Sequence, residues 1–238
     1  MRLSQVLFSQ GFGTRRECEG LIWHGLVSVG GRVIEEPAEE LDTEGLVFTV
    51  QGREWRFHEK ALVLLHKPTG HECSQKPKHH PSVLNLLPLP LRNRGVQPVG
   101  RLDEDTTGLL LLTDDGTLIH RLTSPKHHVP KVYEVTARHE VTPEQVAKLL
   151  DGVVLDDDPA PVRAAACEAT GAETGQNTLR LTLTEGKYHQ VKRMVAAAGN
   201  RVEALHRSSF GELTLDGVPS GAWRWVSAAE RERLERKR

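Results

Sequence analysis

Gly100-Arg101-Leu102-Asp103-Glu104-Asp105-Thr106-Thr107-Gly108-Leu109-Leu110-Leu111-Leu112-Thr113-Asp114-Asp115-Gly116 is the densest stretch of the chain, and its reading decides the fold. Four leucines in a row leave no polar alternation, so residues 109–112 read as a central strand covered on both faces. The run is far too short to cross a bilayer. Five carboxylates flank it. Asp115 with Gly116 makes a turn, and Asp114 is a solvated or capping residue. Glu104 and Asp105 have no place that pattern alone dictates. Asp103, between Arg101-Leu102 and the strand, reads either as a turn or ion-pair residue or as a carboxylate that a neighbouring cation holds for chemistry.

Working outward, Ala61-Leu62-Val63-Leu64-Leu65 is a second buried strand, followed by the turn His66-Lys67-Pro68-Thr69-Gly70. Lys131 to Thr136 alternates as a strand, and so do residues 179–184. Thr142-Pro143-Glu144-Gln145 opens a helix that Asp151-Gly152 closes. Residues 156–161 read as a loop. Residues 188–198 read as a helix closed by Gly199-Asn200, with an apolar stripe of Val191, Met194, Val195 and Ala198 that leaves His189, Lys192 and Arg193 on another face. Strands outnumber helices, so the expected class is α+β with a mostly antiparallel mixed sheet over residues 60–227. Residues 228–238 alternate charges as an exposed, chemically idle helical tail.

Residues 1–59 read as a small unit of their own. Leu3, Val6 and Leu7 have helical spacing; Thr14-Arg15-Arg16-Glu17 has the form of a capping box; Leu26 to Ile34 is a hairpin turning on Gly30-Gly31. Arg15 and Arg16 at a helix start can meet a phosphate backbone or stay solvated. Residues 35–44 carry six acids and neither Lys nor Arg, as a solvated connector does.

The 238 residues hold 31 Lys+Arg against 32 Asp+Glu, a net charge of −1, with 38% hydrophobic and 26% charged residues. That describes an ordinary globular chain. The charge is unevenly placed: residues 120–133 combine Arg121, Lys126 and Lys131 with His120, His127 and His128 and no acid, a surface a polyanion can bind. Three widely spaced cysteines and no apolar leader point to the cytoplasm. Cys73, His79, His80, His127 and His128 lack metal-ligand spacing, so no metal is expected. Phosphate-cradling glycine loops and a GxSxG elbow are also missing.

The Gly100–Gly116 stretch closely resembles the catalytic motif of RNA pseudouridine synthases. Lys67-Pro68-Thr69-Gly70, Lys131-Val132-Tyr133, Glu185-Gly186-Lys187-Tyr188-His189-Gln190-Val191-Lys192-Arg193-Met194 and Leu205-His206-Arg207 agree with that family in order and spacing. Residues 1–48 resemble its S-four-type RNA-binding domain. Thr123-Ser124-Pro125-Lys126-His127-His128 with Lys131 is most similar to the branch acting on small-subunit (16S) ribosomal RNA, large-subunit RNA being the alternative. His66 replaces the common Asn before Lys-Pro, and Ser208-Ser209 replace charged residues.

The resemblance implies a cofactor-free isomerase. Asp103 would be the nucleophile, toward the ribose or the base; Lys192 would be its basic partner, with Arg193 as the fallback. Tyr133 would lie against the uracil and Leu205 on its other side, and Arg101 would fill the space left by a flipped-out base. His189, Arg193, Arg15 and Arg16 would contact RNA. The implied partner is ribosomal RNA in a small-subunit assembly intermediate, met by a monomer without a membrane. Two rivals stand beside this reading: an RNA-binding assembly factor that has lost its chemistry, and a metal-dependent nuclease built on Asp103 and Asp105.

Overall fold

The computed structural model describes residues 1–171 and 177–236. The chain forms two compact units, Met1–Ala61 with Leu87–Gln97, and Leu62–Leu86 with Pro98–Arg238.

In the first unit, helices Leu3–Ser9 and Arg15–Trp23 pack on a sheet in the order Arg32–Val33, Val27–Val29, Val47–Val50, Arg53–Arg56. Leu3, Val6, Leu7, Cys18, Ile22, Val27 and Phe48 form its core. The second helix starts as its sequence predicts: the Thr14 hydroxyl accepts from the Glu17 amide at 3.3 Å, and Glu17 accepts from the Thr14 amide at 2.7 Å. Gly30 and Gly31, with φ of 57° and 79°, make the tight turn of the hairpin. Residues 35–44, expected as a solvated connector, are all exposed or half-buried, and their backbone is tied to the chain start: the Leu3 amide donates to Glu39 O and the Leu41 amide to Met1 O, both at 2.9 Å. One expectation needs correction, that of an unbroken 60–227: in the Leu87–Gln97 segment, Arg94 donates to Gln10 Oε1 and His58 O, both at 2.9 Å, and so joins the first unit.

The second unit is built on a sheet ordered Ala166–Ala169, Thr178–Leu183, Lys131–Ala137, Val202–Phe210, Thr107–Thr113, Leu62–Lys67, Trp223–Trp225. Neighbours along it are antiparallel except at the centre, where His206 and Arg207 pair in parallel with Thr107 and Gly108. The α+β class with a mostly antiparallel mixed sheet is therefore the one observed. All four leucines of the central strand are fully buried, and Leu109 and Leu111 pack with Leu62, Leu64 and Phe210.

Three local readings change here. Asp158–Val162 is a strand paired with Val153–Leu155, not a loop; Pro159 and Pro161 are compatible with strand where the sheet has only two strands and both are edges. The helix near residue 190 spans Gln190–Ala197, and His189 precedes it in a left-handed conformation with φ 47°. Finally, the C-terminal helix Ala228–Glu235 is no detached tail. Leu234 is buried against Leu118, Leu122, Val129 and Phe210, and Arg231 pairs with Asp115 at 2.8 Å. One buried apolar residue and one ion pair thus tie down a charge-rich segment. Residues 237–238 of the expected tail lie outside the described residues.

Candidate active site

Across the centre of the sheet, Tyr133, Arg207 and Gly108 stand in one row: Tyr133 is opposite Arg207, and Arg207 is opposite Gly108. Lys67 extends the row on the next strand. Cross-strand neighbours share a face, so this register brings together side chains far apart in sequence.

Lys67 organises the loop that carries Asp103. Its fully buried ammonium donates to the carbonyls of Pro68, Glu104 and Thr106 at 3.0, 3.1 and 2.8 Å. Burial lowers the Lys67 pKa, against the pull of the surrounding thiol and carboxylates. The Gly70 amide adds a bond to Glu104 O at 2.8 Å, and the Thr106 amide one to Asp103 O at 3.1 Å. These bonds hold residues 103–106 at the head of the central strand.

From the other side, Gln190 pins the turn before its helix: its side chain accepts from the Lys187 amide at 2.7 Å and donates to Glu185 at 2.8 Å. That turn delivers His189 and Lys192 to Asp103. Lys192 Nζ is 3.0 Å from Asp103 Oδ2, and His189 Nε2 is 3.2 Å from Asp103 Oδ1. Lys192 also donates to both oxygens of Asp105, at 2.7 and 2.9 Å. Burial opposes the charge on Lys192, but the hydrogen bonds to Asp105 and Asp103 prevail and raise its pKa, so it is an ammonium at neutral pH. Arg193 turns away, pairing with Asp157 and donating to Tyr188 O at 3.2 Å. Of the two basic candidates for Asp103, the structure brings Lys192 to it.

These groups edge a cleft of about 380 Å³. Tyr133 and Leu205, both nearly buried, and the exposed Arg101 line it along with Asp103, His189 and Lys192. Arg15 and Arg16 are exposed in the first unit, Arg15 lying over the Phe8 ring at 5.4 Å. Sequence reasoning gave no role in the site to Thr106, Lys131 or Arg207, which also line the cleft. Arg207 is 2% exposed; its Nε donates to Leu109 O at 2.8 Å, while its Nη2 and Thr106 Oγ1 are buried without a hydrogen-bond partner among the described residues. Lys131 Nζ donates to Val129 O at 2.9 Å, and burial, then Arg207, lowers its pKa to about 8. Both cations lie over the Phe210 ring, at 5.2 and 5.3 Å. The signal available for Arg207 was its position two residues from Leu205 on one strand, which puts both on one face.

The arrangement suits a carboxylate nucleophile over an apolar slot with a positive floor. It does not suit a two-aspartate metal site, since the Lys192 ammonium already lies between Asp103 and Asp105. Among the described residues no group of three or more His, Cys, Asp or Glu side chains is arranged to hold a metal ion.

Residues 61–197 match the model of the RNA pseudouridylate synthase family, and residues 1–47 that of the S4 domain. The chain belongs to the RNA pseudouridine synthase family. An uncharacterized RNA pseudouridine synthase of Bacillus subtilis (strain 168) is 36% identical over 97% of this chain and 96% of its own. The ribosomal small subunit pseudouridine synthase A of Salmonella typhimurium is 40% identical over 97% and 98% of the two chains, and that of Vibrio parahaemolyticus 37% over 97% of each. The crystal structure of a pseudouridylate synthase superposes with a TM-score of 0.68 at 33% identity, covering 98% of this chain and 99% of that one. This pseudouridine synthase is thus an RNA-modifying enzyme with an N-terminal S4 domain, on the α+β fold already described. Among its described residues, no helix is long and apolar enough to cross a membrane.

Proposed function

We propose that this synthase converts one uridine of small-subunit (16S) ribosomal RNA to pseudouridine, with Asp103 as nucleophile. The observation that carries the reading is the Asp103 carboxylate, 3.0 Å from Lys192 and 3.2 Å from His189, at a cleft that Tyr133 and Leu205 line. The relatives named ribosomal small subunit pseudouridine synthase A support the choice of RNA.

The target base leaves its stack and enters the cleft between Tyr133 and Leu205, while Arg101 fills the vacated space. The bond between N1 and the sugar carbon breaks, and its electron pair leaves with the uracil. Asp103 supplies the nucleophilic oxygen for that step. Lys131 and Arg207 offer a fixed positive field to the charge on the departing base. The base turns, carbon 5 bonds to the sugar carbon as the Asp103 oxygen leaves that carbon and returns as the carboxylate, the carbon-5 proton leaves with help from Tyr133, and N1 takes up a proton. Nothing is oxidised or reduced, and no cofactor enters the balance. Arg15 and Arg16 of the S4 domain, with His189 and Arg193, hold RNA backbone. The working form is a cytoplasmic monomer acting on a small-subunit assembly intermediate.

The test is tritium release from carbon-5-labelled uridine in small-subunit ribosomal RNA, in naked and precursor-particle form, with chelator present. Wild type releases tritium and Asp103→Asn does not, while RNA affinity and folding persist. Release by Asp103→Asn would remove Asp103 as nucleophile. Release from large-subunit RNA alone would move the substrate, and no release from any of them would leave an RNA-binding protein.

A further inference from the structure

We infer that a basic groove adjoining the Asp103 cleft binds the phosphodiester backbone of RNA beside the target nucleotide. The groove has a volume of about 330 Å³ and is lined by segments distant in sequence: residues 121–129, Gly211, and residues 233–236 at the end of the C-terminal helix. Arg121, Lys126, Arg233 and Arg236 line it, together with the buried Leu122 and Leu234. His127 and His128, both exposed, line it as further hydrogen-bonding groups.

Three features point to a polyanion. None of the four cations has an ion-pair partner among the described residues; Arg233 only donates weakly to Ala229 O at 3.4 Å. The acids of the helix that could neutralise them are engaged elsewhere, Glu230 by Arg224 at 2.8 Å and Glu235 by Arg231 at 2.7 Å, and Glu232 is not in the lining. The burial of Leu234 fixes the helix, and with it the positions of Arg233 and Arg236, at no gain to the catalytic cleft. Like charges brought together by folding repel, and a site that keeps them together is one that a bound anion stabilises.

The place of the groove selects RNA over an acidic protein segment. Leu122, Val129 and Gly211 line the groove, while Thr123, Lys131 and Phe210, a residue or two away on the same segments, line the cleft. A strand with one base in the cleft therefore has its flanking phosphates within reach of these cations. The inference rests on the proposed function for which RNA is bound, but not on Asp103 chemistry.

The test is run in the Asp103→Asn background, with a small-subunit ribosomal RNA transcript as the probe and Kd measured over a salt series. Lys126→Glu with Arg233→Glu is expected to weaken binding roughly tenfold or more near 0.1 M salt and to flatten the slope of log Kd against log salt by about two. Arg138→Glu with Arg163→Glu, exposed positions outside both depressions, makes the same net-charge change and is expected to move Kd less than about threefold. In the otherwise wild-type enzyme the groove substitutions raise KM and leave kcat nearly in place. Equal losses from the two pairs, or an unchanged salt slope, would overturn the assignment and leave the groove to another acidic partner. Absence of pseudouridine formation by the wild type would sink the proposed function, while the binding series would still decide the groove.

Discussion

Gly108 and Arg207 face each other across the parallel pair at the centre of the sheet, with no room for a methyl group between them. A Cβ on Gly108 would lie 2.6 Å from the Arg207 amide nitrogen and nearer still to its carbonyl oxygen, and Gly108 has a φ of 115° that side-chain-bearing residues rarely adopt. The glycine lets the strand bearing Leu205 and Arg207 approach the strand that follows Asp103. Gly108→Ala therefore meets both a backbone clash and a strained conformation, and should destabilise the protein by about 3 kcal/mol. Denaturant unfolding checks this; an unchanged midpoint would contradict the close approach.

Lys67 serves the same region through hydrogen bonds. Lys67→Met keeps the length of the side chain and leaves the carbonyls of Pro68, Glu104 and Thr106 without their donor. A loss of about 2–4 kcal/mol in stability is expected, with turnover falling further than stability alone explains because the Asp103 loop loosens. Hydrogen exchange of the Gly70 and Thr106 amides measures that loosening directly. Exchange as slow as in the wild type would separate Lys67 from the loop.

Thr106 should respond in the opposite direction. Its hydroxyl is buried without a hydrogen-bond partner among the described residues, so the folded state bears the loss of hydration with no return. Thr106→Val, nearly the same shape, is expected to raise stability by about 1 kcal/mol, read as a higher unfolding midpoint. A lower midpoint would mean that the hydroxyl has a partner in solution.

Lys131 gives the cleft a signature in alkaline solution. Its folded pKa, lowered to about 8 from 10.5 chiefly by burial and next by Arg207, means that the unfolded chain binds more protons between those two values. The penalty of keeping Lys131 charged is in full force below about pH 8 and fades as pH rises toward 10.5. The stability of wild type relative to Lys131→Met should accordingly increase by about 3 kcal/mol across that window. Unfolding free energies of both proteins at four pH values from 7 to 10 provide the measurement. A constant difference would show that Lys131 is hydrated in the folded state.

Much of the site was legible in the chain because its motifs are local. The central strand follows from four leucines without polar alternation, and the Thr14 and Thr142 helix starts follow from capping residues at their required spacing. Asp103, Tyr133, Lys192 and Leu205 came from family resemblance, not from periodicity, and the cleft lined by all four is a tertiary product. Asp105 had no readable place because its partner, Lys192, is 87 residues away. The 228–238 segment misled because its charge pattern matches a solvated helix, and only the packing of Leu234 shows where it docks.

By itself, then, the sequence determined the central strand, the helix starts at Thr14 and Thr142, and which family's chemistry the residue set matches. These depend on side chains a few positions apart and on backbone preferences that act before any distant contact forms. The tertiary structure decided the rest. It chose Lys192 over Arg193 for Asp103, placed the buried Arg207 and Lys131 under the cleft, and joined residues 121–129 to the C-terminal helix. Those outcomes depend on strand order and register, which bring together charges far apart along the chain, and on burial, which determines how strongly those charges act.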